Sequence, residues 1–167
     1  MGDILPDILE PNLRVVFCGM AAGTASAAKG AYYAGPGNKF WPTLFNLGII
    51  PVQLSSQEFR QVTRYGIGLT DISKRESGPD SKLSKSGFDP DGLRKKMEKF
   101  RPMILAFNGK YAASVFLNRK SIQVKYGIQN CPSEPCKIFV LPSTSGNANG
   151  HWNIEHWRDL ATHLKSL

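Results

Sequence analysis

The sequence predicts an α/β fold built as a parallel sheet with helices on both faces, and two observations carry the prediction. Strand-like apolar runs recur at Val15–Cys18, Ile67–Asp71, Met103–Phe107 and Ile138–Leu141, and helical patterns lie between and after them. Such alternation calls for crossover connections and so for parallel strands covered on both sides. No internal repeat, low-complexity linker or change of composition interrupts residues 1–167, which read as a single domain long enough to bury a core without staples.

Each element has its own signal. The first run, Val15-Val16-Phe17-Cys18, enters a glycine turn and a segment of very small residues that ends at Tyr32-Tyr33. The turn Gly35-Pro36-Gly37-Asn38-Lys39-Phe40-Trp41 follows. A strand that empties into tiny residues and then aromatics describes a tight pocket with a stacking wall, suited to a flat ligand. Ser55 and Glu58 form a capping-box pattern for a short helix over Gln57–Arg64. Asp89 is an N-cap with Pro90 at the first helical position, and Leu93, Met97 and Phe100 then share a face. Lys110–Leu117 is a short apolar helix. Asn153 opens the last helix, with Ile154, Trp157, Leu160, Ala161 and Leu164 on one stripe.

Charge and cysteines narrow the class. The formal charge is +8, yet charged residues make up only 20% of the chain, so the excess decorates a folded surface and favours polyanions. Three cysteines cannot close a disulfide framework, and Cys131 and Cys136 lack the further ligands a zinc or iron–sulfur site needs. No metal and no cofactor is expected. No run is long enough to span a membrane, and the acidic start does not read as a signal peptide, so no membrane association is expected and a reduced cytoplasmic setting is.

Ligands of parallel sheets sit at the carboxyl ends of the strands. That rule selects the loops Gly19–Tyr33, Asp71–Lys85, Asn108-Gly109 and Ser143–His151. Two nucleotide motifs fail in the first of them and just after it. After Gly23 a P-loop would need a second glycine where Ala28 stands and a hydroxyl where Gly30 follows Lys29, and Gly35-Pro36-Gly37 has Phe40 at the third glycine position of a dinucleotide fingerprint. Serine-hydrolase elbows and H-E-x-x-H helices are also absent.

What remains is a set of rim residues. Tyr33 sits at the mouth of the pocket, where an aromatic face offers a base about 1–3 kcal/mol of stacking, although a tyrosine here can also simply pack beneath the loop. Asp71 ends the second strand, where a carboxylate can orient water or stabilise a developing cation. Asp80 is a second candidate on the same loop, with a turn role as its alternative. The Ser143–His151 segment is small, polar and rich in backbone donors. Lys74, Arg75, Lys82 and Lys85 form a candidate phosphate-facing rim.

Together these segments resemble the mismatch-specific uracil-DNA glycosylase/thymine-DNA glycosylase family, from about Asp7 to the C-terminal helix. The anchors are Val16-Phe17-Cys18-Gly19, the run Tyr33 to Trp41, Arg101-Pro102, and Leu141-Pro142-Ser143 with Ser145-Gly146. The GPGNKFW run is the most specific of them. The resemblance implies a three-layer α/β/α fold with a central four-stranded parallel sheet, and hydrolysis of the bond from a damaged base to deoxyribose after the nucleotide is flipped. By matching positions, Tyr33 would stack on the flipped base, with Gly19, Met20, Ala21, Asn38 and Ser143 lining its pocket. Ser145, Gly146, Asn147, Ala148 and Asn149 would form the wedge that fills the gap in the duplex.

The chain departs from the family at a telling place. The usual G-x-N-P-G motif uses its asparagine to position the attacking water, whereas this segment is Gly19-Met20-Ala21-Ala22-Gly23, and alanine has no polar group. Asp71 is the expected substitute as the catalytic group. The expectation is therefore a monofunctional, monomeric glycosylase that excises uracil from double- or single-stranded DNA, G:U mismatches included, in base excision repair. The alternative is a catalytically weak module that binds lesions or abasic sites.

Overall fold

The computed structural model describes residues 2–167. Four parallel strands, β1 (Val15–Gly19), β2 (Ile67–Asp71), β3 (Ile104–Asn108) and β5 (Lys137–Leu141), form the sheet, and a two-residue strand β4 (Gly127–Ile128) adds an antiparallel edge. The order is β2-β1-β3-β5-β4. The expected four-stranded sheet is thus a five-stranded one. The short β4 escapes sequence reading because two residues carry no periodicity.

The strands are buried on both faces, apart from Lys137 at the start of β5 and the exposed edge strand β4. Successive side chains alternate between two cores, as the pleat requires. Val15, Phe17, Ile67, Leu69, Ala106 and Phe139 meet Phe40, Leu44, Trp157 and Leu160 on one side. Val16, Cys18, Leu105, Phe107 and Val140 meet Leu93, Met97 and Phe116 on the other. The first face carries α2 (Phe40–Asn46) and α5 (Ile154–Lys165); the second carries α3 (Pro90–Phe100) and α4 (Lys110–Leu117). This is the three-layer α/β/α arrangement.

The expected caps are present. Asp89 accepts from the Gly92 amide at 2.9 Å and Asn153 from the Glu155 amide at 3.0 Å. The Ser55–Glu58 capping box forms too, but the segment it opens, Ser56–Tyr65, winds as a 3-10 helix. Its buried residues Phe59 and Val62 stand three apart, which suits three residues per turn. Two short helices lie where only loop was expected, α1 (Thr24–Lys29) and α2. Gly23 and Gly30 bracket α1, and the Asn38 side chain accepts from the Phe40 amide at the start of α2.

The chain preceding β1 runs along the outer edge of β2. Ile8 and Leu69 exchange two backbone hydrogen bonds of 2.9 Å in an antiparallel bridge, so the edge strand is covered. From β1 the chain order steps to β2 on one side and β3 on the other, so a crevice opens beyond the carboxyl ends of β1 and β3. Among the described residues no helix is long and apolar enough to cross a membrane.

Candidate active site

A cleft of about 860 Å³ occupies that crevice. All four loops selected from sequence contribute, through residues such as Met20, Asp80, Gly109 and Ser143. They are fastened to one another by main-chain bonds. The Ile72 amide donates to Gly19 at 3.0 Å, the Ser73 amide to Met20, and the Gly78 amide to Ala22 at 2.9 Å. The Lys39 amide donates to Thr144 at 2.9 Å, joining the GPG turn to the last loop. Gly146 packs on the GPG turn so closely that a Cβ would lie 3.2 Å from the Pro36 carbonyl oxygen.

Tyr33 is held in a backbone conformation that bulky residues avoid, with φ +54°. The strain aims its ring. One face stacks on Phe40, with centroids 4.0 Å apart and planes at 24°, and the tyrosine lines the cleft. Its neighbour Tyr32 is only 2% exposed and donates to the Pro6 carbonyl at 2.9 Å. Trp41 anchors the turn by donating from Nε1 to the Tyr32 carbonyl at 3.0 Å.

Asp71 lies at the floor of the cleft, 6% exposed. A Cβ on Gly19 would sit 2.9 Å from its Oδ1, so only glycine lets the carboxylate approach the β1 backbone this closely. Burial lifts the Asp71 carboxyl to about 7, with Asp7 adding to the rise and Lys74, the Gly19 amide and Lys96 opposing it. A group that changes charge near neutrality in a cleft is a candidate for proton-transfer chemistry. Asp80, by contrast, stands exposed on the cleft rim at the start of the 3-10 turn Asp80–Lys82, which fits its turn alternative.

The other expected residues are distributed as follows. Gly19, Met20, Ala21, Asn38, Ser143, Ser145, Gly146, Asn147 and Ala148 all line the cleft. Ala21 presents only a methyl group there. Asn149 is exposed and turns toward Lys39, whose ammonium it accepts from, while Lys39 also lies 5.5 Å from the Trp152 ring centre. Lys82 lines the cleft, and Arg75 and Lys85 are exposed.

Lys74 is not on the phosphate-facing rim. Its side chain is 10% exposed and pairs with Asp7 at 2.9 Å, while Lys96 takes the other Asp7 oxygen at 2.6 Å. Thr70 also donates to Asp7 at 2.6 Å, and Lys74 reaches the Tyr32 hydroxyl at 3.2 Å. These contacts hold the Asp7 carboxyl below the usual carboxylate range against the opposing effect of burial. Lys74 lies just beyond the end of β2, and the edge chain carrying Asp7 captures it there.

Asn108 was placed on a rim loop by sequence, without a role. The structure puts it at the end of β3, 8% exposed and lining the cleft. It accepts from the Thr144 amide at 2.9 Å and donates to the Thr144 hydroxyl at 2.9 Å, which fixes the orientation of its amide. A polar residue closing the otherwise apolar run ILAFN was the available signal. Among the described residues no group of three or more histidine, cysteine or acidic side chains is placed to hold a metal ion.

The chain is similar in structure to the solution NMR structure of a "putative Uracil DNA glycosylase" from Methanosarcina acetivorans. The TM-score is 0.67 at 24% identity, over 96% of each chain, a likeness of fold. The model of the "Uracil DNA glycosylase superfamily" matches residues 6–162. With nearly the whole chain matched, the protein belongs to the uracil DNA glycosylase superfamily.

Proposed function

We propose that the protein is a monofunctional DNA glycosylase that flips uracil, and other damaged bases, out of DNA and hydrolyses the base–sugar bond. G:U mismatches are among its substrates, and an abasic site for base excision repair is the product. The observation that carries the reading is Asp71: a carboxyl buried at the cleft floor, ionising near neutrality, in the same cleft as the strained stacking residue Tyr33. The reading takes the chain as a single-domain monomer in the cytoplasm, acting on the bacterial nucleoid if the source is bacterial.

In this reading the base enters between the free face of Tyr33 and the small residues Gly19, Met20 and Ala21. Ionised Asp71 orients a water toward the sugar C1′ and stabilises the positive charge that develops as the C1′–N bond breaks. Water adds at C1′, and its proton passes through Asp71 to the departing base. Asn38 and Ser143 complete the pocket wall. Ser145, Gly146, Asn147, Ala148 and Asn149 enter the space the base has left. Water is the only co-reactant, so no cofactor is called for.

One observation favours a second reading, a module that binds lesions or abasic sites without turnover: Ala21 presents no polar group to the cleft. An excision series decides between them. Uracil-containing oligonucleotides, single-stranded, matched and G:U mismatched, are incubated with wild type, Asp71→Asn and Asp80→Asn, followed by cleavage of abasic sites. The expected result is excision by wild type and Asp80→Asn and none by Asp71→Asn. Tight, salt-sensitive binding without product would establish the second reading, and full excision by Asp71→Asn would remove Asp71 from the mechanism.

A further inference from the structure

Among the described residues that line the cleft, Leu5 alone carries a branched aliphatic side chain, and it comes from outside the four strand-end loops. It lies on the chain that runs along the edge of β2, ahead of the residues 6–162 that the superfamily model matches. It is only 2% exposed, so it meets the cleft at the buried end, as Tyr32 and Asp71 do. Most of the remaining lining is glycine, alanine, serine, threonine, asparagine or tyrosine.

The segment carrying Leu5 is fastened on both sides of it. The Ile4 amide donates to the Lys74 carbonyl at 2.7 Å, and the Pro6 carbonyl accepts from the Tyr32 hydroxyl at 2.9 Å. Asp7 then takes Lys74 and Lys96 at 2.9 and 2.6 Å, and Ile8 bridges to Leu69. With bonds at residues 4, 6, 7 and 8, the backbone of residue 5 is set before any ligand arrives. Leu5 also belongs to the core cluster that holds Ala22 and Tyr32 and against which Tyr33 packs. It is a preorganised wall of the cleft.

The chemistry of a flat base selects what such a wall can meet. Uracil carries hydrogen-bonding groups at O2, N3 and O4, and its one apolar edge is C5–C6. A polar edge pressed on leucine would lose water and gain no partner, whereas the apolar edge gains by burial. We infer that Leu5 is a specificity-determining residue: it receives the C5–C6 edge of a flipped pyrimidine, and its isobutyl group limits the size of the C5 substituent. This rests on the glycosylase reading for the flipped base, and it assigns to the edge chain a part in choosing that base.

The test compares wild type, Leu5→Ala, Leu5→Val and Leu5→Met on G:U and G:T oligonucleotides. Binding is measured in parallel on the same duplexes with 2′-fluorinated nucleotides, whose base–sugar bond resists hydrolysis. Leu5→Ala is expected to raise the preference for thymine relative to uracil at least about tenfold, in kcat/KM and in affinity, the order of effect of an added or missing methylene in an apolar pocket. Leu5→Val should move it less in the same direction, and Leu5→Met, which keeps the volume, should leave it within about twofold. A ratio that does not move in Leu5→Ala or Leu5→Val, with both bases gaining or losing together, would reduce Leu5 to a packing residue and overturn the inference. Wild type that binds but excises nothing defeats the glycosylase reading alone, and the affinity ratio still decides Leu5. Wild type that neither binds nor excises overturns both.

Discussion

Replacing Asp71 by asparagine is expected to abolish excision and yet make the protein more stable at alkaline pH. The ordinary carboxyl value is 3.8, and burial raises it to about 7. The folded chain therefore holds a proton that the unfolded chain has already released. Stability contributed in this way is complete below about pH 4 and is lost as pH rises to about 7. At about 1.4 kcal/mol per unit, the ionised carboxylate costs the fold roughly 4 kcal/mol above neutrality. Asparagine keeps the shape and removes the charge. Because its amide needs partners of its own, the expected gain is about 2–4 kcal/mol near pH 8 and close to none near pH 4. In a chain of this size that is a Tm rise on the order of 10 °C. Urea denaturation of both proteins at several pH values provides the assay. A variant less stable than wild type near pH 8, or a difference that ignores pH, would refute the reasoning.

Three further outcomes are expected. Gly19→Ala places a methyl group 2.9 Å from Asp71 Oδ1, so excision should fall at least about tenfold through displaced geometry with little change in Tm; unchanged kinetics would show that the carboxylate need not approach β1. Lys74→Met leaves Asp7 with one cation, which should cost about 2 kcal/mol in urea denaturation and move the acid limb of activity upward, because Lys74 opposes the rise at Asp71. Lys39→Ala and Lys82→Ala should each flatten the dependence of log affinity on log salt by about 0.9, the effect of one phosphate contact; an unaltered slope would place that lysine off the DNA backbone.

Most of the sheet was legible because fully apolar runs between helical patterns have few other destinations. Ile67–Asp71 matches its strand at both ends, and the others shift by a residue or less at each end. The loops were legible in place but not in shape. A run of alanine, serine and glycine reads as coil, and α1 forms there because Gly23 and Gly30 bracket it. The GPGNKFW turn hides a helix start, since the cap is made by a side chain only two residues away. At the site, Asp71 and Tyr33 could be named from strand ends and aromatics. Asp7 could not, because its partners Lys74 and Lys96 are distant in sequence and meet it only once the edge chain pairs with β2. Asn108 was hidden for a similar reason: its role depends on Thr144, on a neighbouring strand end.

The seam between the GPG turn and the Ser143–Asn149 loop has a mechanical consequence. Lys39 is bonded to Thr144 through its amide and to Asn149 through its ammonium, and Gly146 lies flat on Pro36 and Gly37. Segments a hundred residues apart along the chain thus form a single jaw. On the reading proposed here, such a jaw cannot push its tip into a double helix while leaving its aromatic plate behind. Opening the stack and clasping what comes out become one stroke, and a lesion that resists being clasped also resists being displaced.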